Sequence, residues 1–229
     1  MAAIIAYIRR EWLWLLTHVL SLALVAPLVW DWWTDNLSPN PITDFTLATG
    51  SAAIVTLLAS LAVTPVNTIT GWRAVVGLRK TLGLYAFSYA TLHFLVFVGL
   101  DYGFSLKYIL ADGLPTKQYV VVGFLALLIL LPLAITSTKG WQKRLGRTWK
   151  KLHRWVYAAG ILAVVHYLWV GKVIFGKPVV YTIILALLLT ARIPVVRSRL
   201  VQFRNRLRGQ RRPTPPRRAS RAINAEGMP

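Results

Sequence analysis

Six long apolar stretches divide the chain, and mostly short polar connections separate them. Each stretch has 19 to 21 residues. An α-helix of that length, rising about 1.5 Å per residue, crosses the roughly 30 Å of hydrocarbon in a bilayer. The pattern therefore predicts an all-α integral membrane protein, a bundle of six transmembrane helices. The predicted spans are residues 12–31, 46–66, 82–100, 119–137, 153–171 and 178–196.

The connections between these stretches alternate in charge along the chain. If both termini are cytoplasmic, 23 of the 27 Lys and Arg residues and none of the five Asp residues lie on the cytoplasmic side. Cytoplasmic loops of membrane proteins carry an excess of Lys and Arg, so we predict that both ends are cytoplasmic. This gives a cytoplasmic N-terminus at 1–11, a transmembrane domain at 12–196 and a basic cytoplasmic tail at 197–229.

Composition narrows the class of protein further. The chain is 56% hydrophobic and 15% charged, whereas soluble domains have about 25% charged residues. Its net charge of +20 comes mostly from the cytoplasmic loops and the tail, which we predict to be a basic helix followed by a Pro-rich disordered end. We expect this tail to bind anionic lipid headgroups or to dock a partner, and not to bind nucleic acid. The absence of cysteine excludes cysteine-ligated clusters and thiolate-ligated haem.

Four histidines lie within or at the ends of the predicted spans: His18, His93, His153 and His166. Ionisable side chains are costly in a membrane and usually functional, although a single histidine is often a hydrogen-bonded packing residue. At about 1.5 Å per residue, His93 and His166 both lie roughly 20 Å from the cytoplasmic side, in helices that run in the same direction. Histidine is a usual haem ligand, and two of them leave no open coordination site, which suits electron transfer.

His153 lies about 19.5 Å nearer the cytoplasm than His166 on the same predicted helix, a spacing that suits two redox sites stacked across the membrane. On a straight helix the two rings point about 140° apart, so they need not face the same neighbour. Arg79 lies fourteen residues before His93, near the same face. It could meet a haem propionate, a flavin phosphate or a lipid phosphate. His18 has no partner at an obvious depth, and packing is the simpler interpretation.

Three segments resemble a known family: "LAVTPV" at 61–66, "LRKTLGLYAFSYATLHF" at 78–94 and "ITSTKGWQKRLGRTWKKLHRWVYAAGILAVVHYLW" at 135–169. They are similar to the MsrQ family, the haem-binding membrane subunits of a periplasmic methionine sulfoxide reductase system. That family belongs to the ferric-reductase-like transmembrane superfamily. The resemblance covers about residues 12–196 and leaves out the basic tail.

The resemblance implies a bacterial inner-membrane protein that binds one or two b-type haems and is associated with FMN. It implies that electrons come from the quinone pool or a cytoplasmic flavin reductase and go to a periplasmic molybdopterin partner, MsrP, which reduces methionine sulfoxide. Carried over by position, the haem ligands are His93, His153 and His166. The superfamily places a second histidine fourteen residues before the first ligand, and here that position is Arg79.

The cytoplasmic segment 137–151, which includes Arg147, is the predicted anion site for haem propionates or the FMN phosphate, although positive-inside charge explains it equally well. No dinucleotide fingerprint or P-loop is present, so we expect a relay subunit whose sulfoxide chemistry belongs to the partner. Two alternatives stay open. One is a non-redox transporter with proton-relay histidines, and the other is a stand-alone haem ferric reductase.

Overall fold

The computed structural model describes residues 2–171 and 176–207, with side chains for residues 11–113, 115–170 and 176–206. Every secondary-structure element in these ranges is helical, as the apolar pattern predicted. The connection at 172–175 and the predicted Pro-rich end of the tail, from residue 208 onward, lie outside the described residues.

Twelve α-helices occupy the described ranges, joined by two 3-10 and two π-helical turns. The helices are α1 (Ala2–Ala23), α2 (Ala26–Trp33), α3 (Pro41–Thr70), α4 (Leu78–Leu95), α5 (Leu106–Tyr108), α6 (Leu114–Thr116), α7 (Tyr119–Ile135), α8 (Lys139–Leu145), α9 (Arg147–Leu152), α10 (Val156–Gly171), α11 (Lys177–Thr190) and α12 (Pro194–Leu207). The 3-10 turns are Arg73–Gly77 and His153–Trp155, and the π turns are Val96–Asp101 and Ile109–Gly113.

Two helical segments of the described chain are long and apolar enough to cross a membrane without a break, Pro41–Thr70 and Arg73–Asp101. The number rises to five if each of three bent pairs counts as one span. The chain bends by 47° between α1 and α2, by 94° between α7 and α8, and by 82° between α11 and α12. The structure thus supports a helical membrane protein, and the six-span topology with cytoplasmic termini stays a prediction.

Two of the predicted spans have different bounds in the structure, one at its end and one at its beginning. The span predicted at 178–196 stops at Thr190, and the chain then turns sharply into α12. The span predicted at 153–171 begins with a 3-10 turn at His153–Trp155, which leaves α10 with 16 residues. A hydropathy window averages over such turns, although local residues mark both: Arg192 and Pro194 lie at the first bend, and His153 and Arg154 lie in the 3-10 turn.

Helix α3 is the central element of the bundle. Asn40 begins it, since its side chain accepts a hydrogen bond from the Thr43 N–H at 3.2 Å, and Gly71 ends it with a left-handed φ of 69°. Along the helix, Thr49 and Thr56 are fully buried. Their hydroxyls donate hydrogen bonds to the carbonyls of Phe45 and Ala52, one turn earlier. These bonds give each buried hydroxyl a hydrogen-bond acceptor, which the surrounding apolar side chains could not supply.

Four helices, α3, α4, α7 and α10, pack together around the buried core. One cluster joins α3 to α10 and α11 and contains Ile54, Leu58, Leu61, Val164 and Leu185. A second cluster joins all four helices through Leu57, Ala86, Leu130 and Ala159. Helix α1 packs against α4 on one side of this core, and α11 packs against α3 and α10 on another. The four central helices therefore enclose the space in which the candidate site lies.

Candidate functional site

Two histidine rings face each other inside the four-helix core. His93 comes from α4 and His166 from α10, and their ring centroids lie 6.1 Å apart with the planes inclined by 82°. Two imidazoles on opposite sides of one metal atom, each bonded at about 2 Å, place their ring centroids roughly 6 Å apart. The separation of this pair therefore fits two imidazoles that would bind one metal atom between them.

The outward nitrogen of each ring is held by a backbone carbonyl of a neighbouring helix. His93 Nδ1 lies 3.0 Å from the Thr46 carbonyl oxygen on α3, and His166 Nδ1 lies 2.7 Å from the Tyr119 carbonyl oxygen on α7. A carbonyl can only accept, so each Nδ1 carries the proton and each Nε2 keeps its lone pair. Within the described residues neither Nε2 has a hydrogen-bond partner, and this is the arrangement that metal-bound histidines use.

Each ring also packs against a glycine of the helix that holds it. A Cβ atom on Gly50 of α3 would lie 3.0 Å from His93 Cε1, and one on Gly123 of α7 would lie 2.8 Å from His166 Nδ1. Even alanine at Gly123 would require the imidazole to move. The helix pairs α3–α4 and α7–α10 thus pack in the same way, with a glycine on one helix against a histidine on the other.

The two rings line an apolar cavity that all four core helices enclose. Each helix contributes at least one small residue to its wall: Gly50 from α3, Ala86 from α4, Gly123 from α7 and Ala163 from α10. Because these side chains are small, they leave room at this level for a flat group beside the rings. Phe94 and Phe124, stacked at 5.1 Å, add aromatic surface to the same wall.

One end of the cavity carries an ion pair. Lys117 Nζ lies 3.9 Å from Asp101 Oδ2, and it also lies 5.7 Å from the Phe97 ring centroid and 5.1 Å from that of Tyr102. Burial disfavours the ammonium, but the interactions with Tyr102 and Asp101 outweigh it, so the pKa of Lys117 lies above its ordinary value. Lys117 is therefore a permanent cation at the cavity end, a position the sequence marked only as an outer-loop charge.

His153 lies apart from the facing pair, in the 3-10 turn that precedes α10. Its Nε2 lies 3.0 Å from Thr136 Oγ1 at the end of α7, and its ring stacks on Trp149 at 4.0 Å. The Trp149 indole N–H in turn donates to the Thr136 carbonyl at 2.9 Å. Among the described residues no second histidine ring contacts His153, so the structure does not bring it into a bis-histidine pair.

Two arginines from distant parts of the chain, Arg79 and Arg192, lie close enough for their charges to interact. Arg79 donates to the Thr64 hydroxyl, and its charge acts on His153 and on Arg192. Arg192, just after α11, donates to the Tyr157 hydroxyl and to the Leu61 carbonyl, both at 2.6 Å. Among the described residues its Nε is buried without a partner. Cationic side chains thus gather near His153.

A proline explains why Arg192 reaches the backbone of α3. Pro65 lies inside the helix and has no N–H, so the carbonyl four residues earlier, that of Leu61, loses its helical donor. In an apolar environment that carbonyl needs another donor, and the Arg192 guanidinium supplies it. In the sequence, Arg192 is one of the 23 basic residues that indicate the topology. The proline within an apolar span, part of "LAVTPV", was the signal for a buried donor.

The predicted anion-site residue Arg147 and the packing histidine His18 are not part of either group. Arg147, at the start of α9, is exposed, and its side chain has no hydrogen bond or ion pair within the described residues. His18, on α1, has its Nδ1 2.7 Å from the Tyr85 hydroxyl and lies against Trp14 with ring centroids 4.1 Å apart. It joins α1 to α4, away from the His93–His166 cavity.

Comparisons with known proteins agree with this arrangement of helices. A family model described as "Ferric reductase like transmembrane component" matches residues 49–164. A Xanthomonas axonopodis pv. citri protein named "Protein-methionine-sulfoxide reductase heme-binding subunit MsrQ" is 41% identical over 185 residues, 78% of this chain and 84% of that protein. A Rhodospirillum rubrum protein of the same name is 43% identical over 182 residues, 77% of this chain and 87% of that protein.

The chain belongs to the MsrQ family. This confirms the resemblance stated from the segments at 61–66, 78–94 and 135–169. The matched region of the family model runs from α3 into α10. It includes Gly50, His93, Gly123 and His153, and it ends two residues before His166. The match to the ferric-reductase-like family model therefore reaches all four core helices that enclose the cavity.

Proposed function

We propose that this MsrQ-family chain binds haem b between His93 and His166 and carries electrons through the membrane. The observation that supports it is the facing pair of imidazoles, with centroids 6.1 Å apart and a proton held on each Nδ1. The relatives are named haem-binding subunits, and the donor set, the spacing and the glycine clearances all fit that group.

The residues of the cavity define what the site can do. Haem held by two histidines supplies a one-electron couple at its iron and has no open position for a substrate. His93 and His166 provide the nitrogens, the carbonyls of Thr46 and Tyr119 fix the tautomers, and apolar walls exclude water. A site of this kind transfers electrons, so the reduction of methionine sulfoxide belongs to a partner subunit.

The proposed route crosses a bacterial inner membrane through a six-span chain with both ends cytoplasmic. Electrons enter from the quinone pool or from a cytoplasmic flavin reductase, and leave to a periplasmic, MsrP-like molybdopterin subunit. The names of the relatives, which refer to methionine sulfoxide reductase, support this route. By position, the outer connections at 31–44 and 101–118 are the docking candidates for the partner.

The cationic side chains near His153, Arg79 and Arg192, would hold the acidic groups of a bound cofactor, either the propionates of the one haem or the phosphate of FMN. Arg79 could bind haem propionates or the phosphate of FMN, and Arg147 could bind them from the exposed segment at 137–151. His153 would adjoin that cofactor rather than share an iron with a second histidine, because its Nε2 is engaged by Thr136. We therefore propose one haem per chain.

The first experiment is the visible spectrum of the detergent-purified chain, oxidised and dithionite-reduced, with haem measured per chain. A sharp reduced b-type band at one haem per chain is the expected result. A folded, colourless protein that takes up no added haem would contradict the proposal and favour a transporter with proton-relay histidines. Reduction of ferric chelates by the purified haem protein in the absence of any partner would favour a stand-alone ferric reductase.

His153→Ala tests the number of haems. We expect the haem content and the reduced spectrum to remain within about 20% of wild type, because His153 lies outside the facing pair and hydrogen-bonds to Thr136. Haem per chain is measured by the pyridine haemochrome method on protein of equal purity. Loss of half of the haem in a wild type that binds two would assign a second haem to His153.

Lys117 and Asp101 should move the haem potential in opposite directions. Lys117→Gln removes a cation near the cavity and should lower the midpoint potential, because a nearby positive charge favours the reduced iron. Asp101→Asn should raise it. Each shift should be on the order of 50 mV, which corresponds to about 1 kcal/mol for one electron. Spectroelectrochemical titration measures the midpoint potential of each variant. Shifts of the same sign in the two variants would show that this ion pair does not act electrostatically on the haem.

A further inference from the structure

A second cavity lies at the far end of α3 from the His93–His166 pair. It forms where the 3-10 turn after α3 and the basic helix α12 meet the last turn of α3. Three arginines line it, Arg73 from the 3-10 turn and Arg197 and Arg204 from α12, together with Asn67 and Thr68 of α3. We call this the arginine pocket.

The sequence of α12 places its two arginines on one face. Residues 197, 201 and 204 are spaced four and three apart, which is the repeat of one helical face, and Val201 lies between the arginines in the pocket lining. Arg199, on the same helix, points about 200° away from Arg197 and is not among the lining residues. Of the arginines on α12, which lie on several faces of the helix, only those on this one face line the pocket.

Within the described chain, only one of the three arginines makes side-chain hydrogen bonds to other residues. Arg204 Nη1 donates to the Thr68 carbonyl at 3.1 Å, and its Nε and Nη2 lie 3.4 and 3.3 Å from Asn205 Oδ1. Arg73 and Arg197 are exposed, and within the described residues their side chains have no hydrogen bond or ion pair. Two guanidinium groups thus face the pocket with their donors free.

The helix end beside them does not account for this much charge. The C-terminus of a helix carries the equivalent of about half a negative charge, and one cation satisfies it. The Arg204 contact with the Thr68 carbonyl is that interaction. Bringing two further cations to the same cavity costs free energy through mutual repulsion unless an anion neutralises them.

Aromatic and apolar side chains surround this end of α3. Trp72 precedes Arg73, is 44% exposed and stacks with Trp12 at 6.3 Å. Phe203, next to Arg204, is 59% exposed. Trp and other aromatic residues are typical of the membrane–water interface, and that is the level at which lipid phosphates lie.

We propose that the arginine pocket binds a phosphate group, supplied either by an anionic lipid headgroup or by a soluble phosphate compound. Guanidinium groups match phosphate oxygens through paired N–H donors. Arg73 and Arg197 bind the phosphate, and Arg204 anchors α12 to α3 at a fixed distance from them. The site is independent of haem binding and lies apart from the segment at 137–151 that the sequence marked for anions.

The test uses the full-length chain in detergent and isothermal titration with dihexanoyl-phosphatidylglycerol, dihexanoyl-phosphatidylcholine and inorganic phosphate. Arg73→Gln and Arg197→Gln are compared with Arg199→Gln, which removes the same charge from the same region outside the pocket. Each pocket variant should weaken anion binding about fivefold, the effect of about 1 kcal/mol per cation at this level, and Arg199→Gln less than twofold. Circular dichroism and elution volume verify folding.

The ligand series identifies the source of the phosphate. Arginine-dependent binding of phosphatidylglycerol alone assigns the site to a lipid headgroup, and arginine-dependent binding of inorganic phosphate as well assigns it to a soluble compound. Equal losses in Arg197→Gln and Arg199→Gln would mean diffuse surface attraction and would overturn the proposal. Unchanged affinity in both pocket variants, or wild-type protein that binds neither anion, would also overturn it.

Discussion

His93→Ala and His166→Ala should each abolish the haem spectrum of the purified chain, with haem per chain at least tenfold below wild type. Each substitution removes one of the two nitrogens that face the cavity from opposite sides. Among the described residues no other histidine lines the cavity, and apart from the end that carries Lys117 and Asp101 its walls are mostly apolar. We expect equal losses from the two variants, because the device on each side is the same: one carbonyl, one glycine and one imidazole.

His18→Ala is the matched control for these variants. It removes a half-buried imidazole that hydrogen-bonds to Tyr85, but it leaves the cavity intact. We expect normal haem content with a modest loss of thermal stability, about 1 kcal/mol for one hydrogen bond. Added imidazole should restore haem to His93→Ala and His166→Ala by occupying the vacated space. Haem at wild-type level in either variant would refute the assignment of the pair.

Gly123→Ala should lower haem content severalfold, although it adds only one methyl group. The new Cβ would lie 2.8 Å from Nδ1 and 2.9 Å from Cε1 of His166, so the ring must move. That movement works against the 2.7 Å contact with the Tyr119 carbonyl, which fixes the tautomer and the ring direction. Overpacking of this kind typically costs about 1–3 kcal/mol, equal to a roughly 5- to 150-fold weaker affinity.

Gly50→Ala should have a smaller effect of the same kind, because its Cβ would meet His93 at 3.0–3.1 Å. Gly83→Ala is the control, since its Cβ would lie 3.5 Å from Ser60 Oγ in ordinary contact. Alanine favours helix over glycine by about 1 kcal/mol, so lost helicity cannot explain a deficit at any of the three sites. Titration of haem into the apoproteins measures the affinities. Equal affinities for all three variants would show that ring clearance is irrelevant.

The helices and their approximate spans follow from the sequence because hydropathy is a local property. The long apolar run near 46–66 is the unbroken helix α3, and that near 82–100 lies within Arg73–Asp101. The stretch near 178–196 was predicted too long, because a hydropathy window averages across Thr190–Pro194, where the chain turns by 82°. Arg192 and Pro194 mark this turn in the sequence, but the direction that α12 then takes depends on its packing against α3.

For the candidate site, too, some features follow from the sequence and others only from the structure. The equal depths of His93 and His166 can be counted along the chain, but whether their rings meet depends on how α4 and α10 rotate about their axes. His153 lies on the same predicted span as His166, yet its nearest partners are Thr136 and Trp149. The spacing indicated that the two rings need not face the same neighbour, but it could not identify Thr136 and Trp149 as the partners of His153.

The sequence by itself therefore determined the class of protein, the matching positions of His93 and His166 along their helices and the family, because apolar length, residue spacing and motifs can be read along the chain. The tertiary structure decided which side chains share a site. Gly50 and Gly123 matter only because a neighbouring helix brings an imidazole against them. Arg192 reaches Leu61, 131 residues away in the chain, because Pro65 leaves that carbonyl without a helical donor. Such effects arise from helix packing, which no local pattern encodes.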